Sequence, residues 1–223
     1  MSKLLFSFLL TTLLLTCGPT SEPDTPTEDA PPAENADAIE QSTNYVPIDT
    51  DEALIATALM AAPEEDREGC KVIGYNMAGE FGTLKEGTNL LICLADDPNK
   101  EGFSAACYHK SLEPFVARGR ELKVEGKNPN EIFDIREQEA KAGELDMGKT
   151  GATLHIYFGP DASYDPETNK VNEAIYRYVV YMPFATAAST GLPESPIAPN
   201  HPWIMNPGTH RAHIMISPIN SED

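Results

Sequence analysis

The order of patterned segments in this chain predicts an α+β domain, a single mainly antiparallel sheet with helices packed on one face. Two observations predict it. Apolar residues recur at helical spacing once near the start of the domain and twice in succession in mid-chain, with strand-like runs before and after, so strands and helices do not alternate as a doubly wound fold demands. Most of the Val, Ile, Phe and Tyr also lie beyond residue 50. One core of ordinary size fits a chain of 223 residues.

Each element has its own signal. Asp49 followed by Glu52 forms a capping-box pattern, and Leu54, Ile55, Ala58, Leu59 and Ala62 then recur at helical spacing until Pro63 stops them. Residues 71–77 and 89–95 are rich in strand formers. Gly79, Gly82 and Gly87 break the segment between them around a short strand near 83–86, which reads as a β-meander. Leu112, Phe115 and Val116 predict a helix from about Ser111, with Pro114 tolerable only in its first turn. Asn128, Pro129 and Glu131 supply the N-cap, the first-position proline and the third-position acid of a second helix, which ends near Ala142 before Gly143. Residues 152–158 and 174–182 read as two tyrosine-rich strands joined by a polar loop. A Pro-rich stretch at 183–207 leads to a final strand at 211–217.

Upstream of the domain the composition changes. Met1-Ser2-Lys3 and an uncharged apolar run over 4–16 form a secretory signal, too short for the roughly 20 apolar residues a spanning helix needs. The run ends at Leu14-Leu15-Thr16-Cys17-Gly18, which resembles a bacterial lipoprotein signal. That resemblance implies removal of residues 1–16, acylation of Cys17, and a lipid bilayer as partner through the acyl anchor. Residues 18–50 carry eight acids, six prolines and no Lys or Arg. Such a segment cannot bury enough apolar surface to order itself, so 17–50 reads as a lipidated Cys with a disordered acidic tether ahead of a globular domain at 51–223. The expected location is the bacterial cell envelope, on its periplasmic or surface face.

Charge excludes one class of partner. With 35 acids against 16 Lys and Arg the formal charge is -19, which repels phosphate backbones, so no nucleic acid is expected. With Cys17 assigned to lipid, Cys70, Cys93 and Cys107 remain. Cys93 and Cys107 flank an acidic Pro/Gly loop at 96–102, and pairing them would tie a strand end back to a helix start, leaving Cys70 buried alone or linked to a partner. No Cys-x-x-Cys is present, and separated thiols fit zinc poorly.

The run Lys85-Glu86-Gly87-Thr88-Asn89, then Cys93, an acidic loop, Cys107, and a C-terminal Thr209-x-x-Ala212-His213-Ile214-Met215 before Pro218 resembles a group of uncharacterised secreted bacterial proteins. The similarity spans most of 51–218. Lys85 stands where that group has Arg, and Leu90-Leu91 where it has Gly-Trp. The group carries no established activity, so the resemblance implies no functional residue.

Several motifs tempt a sharper reading. Residues 143–150 satisfy Walker A spacing, but a phosphate loop needs a strand before it and a helix after it, and here the predicted order is reversed; no nucleotide is expected. Asp161, Ser163, Asp165 and Glu167 place oxygens at alternate positions, as a calcium loop does, but Pro166 occupies the slot an EF-hand gives to Gly, and acids in a hairpin loop are usually just solvated, so a solvated turn is the favoured reading and calcium a weak one. His210, His213 and Met215, with His201 and Met205, are donors suited to copper, although in one strand His210 and His213 would face opposite ways. Trp203 could be the aromatic wall of a ligand pocket, but a lone Trp is more often a core plug closing one end of the sheet. No Gly-x-Ser-x-Gly, His-Glu-x-x-His or Ser-x-x-Lys is present. The expectation is a lipid-anchored binding or structural domain, without catalytic residue or cofactor. The alternatives are an extracytoplasmic hydrolase using His213 or His155, with the acids of the Asp161 loop as partners, and a divalent-cation or copper handler. An enzyme would set His213 against a carboxylate at an open cleft.

Overall fold

The computed structural model describes residues 44–218; the expected signal peptide, Cys17 and most of the acidic tether lie outside the described residues. In chain order a short strand β1 (Val46–Pro47) precedes helix α1 (Asp51–Leu59), whose N-cap is Thr50, its hydroxyl accepting from the Ala53 amide at 3.1 Å. The cap thus falls one residue after Asp49, and without a reciprocal acid. A 3-10 turn at Glu64–Gly69 leads to β2 (Lys71–Tyr75), β3 (Phe81–Lys85), β4 (Leu91–Leu94) and β5 (Phe103–His109). Helices α2 (Glu113–Val124) and α3 (Pro129–Ala142) follow, the second with the expected capping box between Asn128 and Glu131 and with Gly143 in the left-handed region at its end. Then come β6 (Thr153–Gly159), β7 (Ser163–Tyr164), β8 (Ile175–Tyr181), a single turn of helix α4 (Ala187–Thr190), β9 (Trp203–Met205) and β10 (His213–Ile216).

Eight strands form one sheet in the order β3-β2-β4-β5-β6-β8-β10-β9, antiparallel throughout except for the parallel pair β2 and β4. The α+β class and the mainly antiparallel sheet are therefore as expected. The meander is not: β3 forms the outer edge of β2 and does not bridge to β4. Helices lie on both faces of the sheet rather than on one alone. On the first face Leu54 and Ala58 of α1 pack on Val72, Cys93, Ala105, Cys107 and Tyr157. On the second, Leu112 and Phe115 pack on Tyr108, Val179, Tyr181 and Met215. The folded body also begins before residue 51, since β1 pairs with β7 and Ile48 is buried.

Cys93 and Cys107 are disulfide-bonded, but both sit in strands, as directly opposed residues of β4 and β5. The bond crosses a strand pair and does not reach a helix start. Cys70 is a buried free thiol donating to the Asp66 carbonyl at 3.2 Å, and burial pushes it above its usual pKa. Residues 143–150 leave the C-terminus of α3 and enter β6, the reverse of a phosphate loop.

Candidate functional site

The Pro-rich stretch arches over the sheet. Its residues Pro196 to His201 form one wall of a cleft of about 580 Å³, and Trp203, Met205, Met215 and Arg177 form the floor and far wall. The strand register explains the grouping. Trp203 on β9 opposes Met215 on β10, and Met215 opposes Val179 on β8, so all three share one face, with Met205 and Arg177 two residues along on that face. The Arg177 guanidinium lies 4.9 Å from the centre of the Phe158 ring at the edge of the cleft. His201 adds a buried Nδ1 with no hydrogen-bond partner among the described residues.

Of the residues nominated from sequence, Trp203 and Met215 therefore meet in one cleft, and His210 and His213 do not join them. His210 is fully buried in the turn before β10, between Phe115 and Phe133, where its backbone N–H and its Nδ1–H both donate to Glu137 Oε2, at 2.7 and 2.6 Å. Burial lowers its pKa against the pull of Glu137, because charging the ring would also bury an Nε2–H without an acceptor. Partial burial raises Glu137, but bonds from Lys141 and from His210 outweigh it and hold the carboxyl at about 2. His213 is buried on β10, its Nδ1–H donating to the Arg211 carbonyl at 2.7 Å. It is capped by backbone and does not meet a carboxylate at an open cleft.

Comparison with protein-family models, curated proteins and solved structures gives no match for this chain.

His155 and His213 cannot act together, because the register β6-β8-β10 puts His155 beside Tyr178 on one face and His213 beside Tyr181 on the other. His155 lines a separate cleft of about 330 Å³ with Glu64, Arg67 and Tyr176. In the segment with calcium-like spacing Asp161 accepts from the Ser163 hydroxyl, and Asp165 accepts from the Glu167 amide and the Thr168 hydroxyl, so both acids close local turns. Among the described residues no group of three or more His, Cys, Asp and Glu side chains is placed to hold a metal ion.

A third cleft, of about 410 Å³, opens where α2 and α3 meet the sheet, and nothing in the sequence patterning nominated it. Arg120, Lys123, Lys127, Arg136 and Arg211 stand around apolar walls that include Phe115, Leu154 and Tyr181. Arg136 is nine-tenths buried, its Nη1 donating to the Phe115 carbonyl at 3.2 Å and its guanidinium 4.2 Å from the centre of the Phe115 ring. Among the described residues its Nε has no partner. Burial first, and Arg211 second, bring its pKa down to about 10. Gly119 makes room for it, since a Cβ there would lie 2.9 Å from Nη1. A glycine inside a helix costs about 0.5–1 kcal/mol relative to alanine, so seating this guanidinium carries a stability cost. The available signal was an arginine four residues after buried Ile132, where a helix buries its apolar stripe.

Proposed function

We propose that the chain is a lipid-anchored binding domain of the bacterial envelope, tethered through Cys17 and holding a small, largely apolar ligand under the Pro-rich arch. The cleft between that arch and the Trp203, Met205 and Met215 face supports the reading, because it has the size and the mostly apolar lining of a ligand site. His213 is capped by the Arg211 carbonyl, and His155 lies on the opposite face in a separate cleft, so neither histidine of the hydrolase alternative belongs to this site.

Trp203 is the chain's single tryptophan, so its fluorescence reports on this cleft directly. Titration with the neutral probe N-phenyl-1-naphthylamine should show saturable energy transfer from Trp203, weakened at least fivefold by Ile197→Asp at the exposed rim. Absence of saturation would remove the reading. The anchor is tested separately by metabolic labelling with an alkynyl fatty acid, which should mark the wild type and spare Cys17→Ala.

One observation favours a second reading. His201, Met205 and Met215 line the same cleft, and thioether and imidazole donors select soft cations such as Cu(I). Silver(I), a redox-inert stand-in, should then quench Trp203 at one equivalent and lose that effect in His201→Ala.

A further inference from the structure

We propose that the cleft between α2, α3 and the sheet is a binding site for a small organic anion, its carboxylate or phosphate head held by Arg136, Lys123, Lys127 and Arg211 and its apolar body lying against Phe115 and Tyr181. The proposal is independent of the cleft under the Pro-rich arch, whose lining residues are different ones.

The starting point is a charge imbalance. In a chain with more than twice as many acids as bases, five basic side chains gather around one opening. An ordinary buried arginine is paired with a carboxylate, because an unpaired charge in low dielectric is costly. Arg136 is not so paired among the described residues, although acids are near. Glu139 is held by Arg118, through Nη2 at 2.8 Å and Nε at 3.0 Å. Glu137 is taken by Lys141 and His210, Glu113 by Arg120 at 2.5 Å, and Asp97 by Lys100 at 2.5 Å. Each of these carboxylates has another cationic partner, although the Glu139 charge still acts on Arg136, and among the described residues the buried guanidinium keeps an Nε–H without an acceptor.

The surroundings favour an anion over a structural role. Among the described residues Lys123, Lys127 and Arg211 form no ion pair, and the positive charges of Lys100 and Arg136 add to burial in lowering the Lys123 pKa against the pull of Asp97. Cations that depress one another are stabilised together by one anionic head, and the Arg136 guanidinium lines the cleft beside them. Gly119 keeps the space into which Arg136 extends. Aromatic and aliphatic walls beside the cations match an anion that carries an apolar body better than a free inorganic ion.

The test is calorimetry on the full chain with three matched probes: 4-phenylbutyrate, 4-phenylbutyl phosphate and the neutral 4-phenylbutanol. At least one anionic probe should bind saturably at one site, at least tenfold tighter than the alcohol, and the tighter of the two identifies the head group. Arg136→Met should weaken that binding at least tenfold while Ile197→Asp leaves it unchanged. Thermal melts of Arg136→Met should show no loss of stability, the outcome a purely structural arginine would not give. Should that variant fail to fold, the double variant Lys123→Gln/Lys127→Gln, altered at the cleft rim, should weaken binding at least fivefold. Equal binding of the alcohol, no binding of either anion, or wild-type affinity in the variants would overturn the proposal. So would the Cys17→Ala protein sedimenting with phosphatidylglycerol vesicles through Lys123 and Lys127 while ignoring all three probes, which would assign the cations to a membrane surface.

Discussion

At the residue scale, the run that carries the family resemblance and one histidine singled out as a ligand candidate both hold the backbone together. The run 85–89 is a clamp around the start of β2: the Lys85 ammonium donates to the Glu68 and Cys70 carbonyls at 2.6 and 2.9 Å, the Thr88 and Asn89 amides both donate to Gly69 O, and Asn89 Nδ2 donates to Asp66 O. Gly87 is what lets the two chains approach, since a Cβ there would stand 2.2 Å from the Lys71 nitrogen. Backbone on both sides leaves nothing to yield. Gly87→Ala should therefore cost about 2–4 kcal/mol in urea unfolding, far above the few tenths expected at an open glycine with ordinary backbone such as Gly82. His210 behaves similarly. It pins the turn before β10 to α3 through Glu137, 73 residues away, and His210→Ala should cost roughly 2–4 kcal/mol by the same measurement, by emptying a packed site and stranding the contact. The sequence shows that a histidine is present but not that its partner is an acid on a distant helix. For the same reason Arg136 could be noticed as a charge on a buried stripe without its unpaired state being visible.

At the element scale, what could be read was whatever local chemistry decides. The limits of α3 follow from Asn128, Pro129, Glu131 and Gly143 alone, because a cap is settled within four residues. Asn128→Ala should accordingly lower stability by about 1 kcal/mol, read from the shift in the urea midpoint at constant m-value. Strand β5 was not read, since its sheet-facing Ala105 and Cys107 are small residues without strand preference and long-range pairing with β4 and β6 selects its conformation. The parallel pairing of β2 with β4 was hidden for a related reason: nothing in either strand says which neighbour it takes. The disulfide now falls between β4 and β5, beneath α1, where it closes a short loop. Replacing both Cys93 and Cys107 by Ala should lower stability by roughly 3 kcal/mol on the chain-entropy estimate, and dithiothreitol should lower the wild-type melting temperature while leaving the double variant unaffected.

At the scale of the whole molecule, the burial of histidines sets the response to pH. His155, His210 and His213 all titrate below the usual 6.5, each chiefly because burial disfavours the charged ring. A group with a depressed folded pKa gives stability that is complete above its unfolded value and is lost as pH falls toward the folded one. Asp96 works the other way. Burial raises it to about 6, so its contribution is complete below 3.8 and is lost as pH rises through 6. From about pH 6.5 downward the unfolded chain thus takes up protons at the three histidines ahead of the native state, and near and below 4.5 at Glu137, whose folded value is about 2, so these groups lower stability on acidification while Asp96 opposes them. General repulsion in a chain of formal charge -19 has the opposite sign, because acid reduces that charge. The two separate by range: surface repulsion is screened within a Debye length of about 3 Å at 1 M salt, whereas buried groups are screened much less. Melting curves at pH 7.5 and 5.0 in 1 M NaCl should therefore show a lower transition at the acid pH, and His213→Gln should narrow the difference. A higher transition at pH 5.0 under those conditions would mean that the buried rings do not govern the acid side of the stability curve.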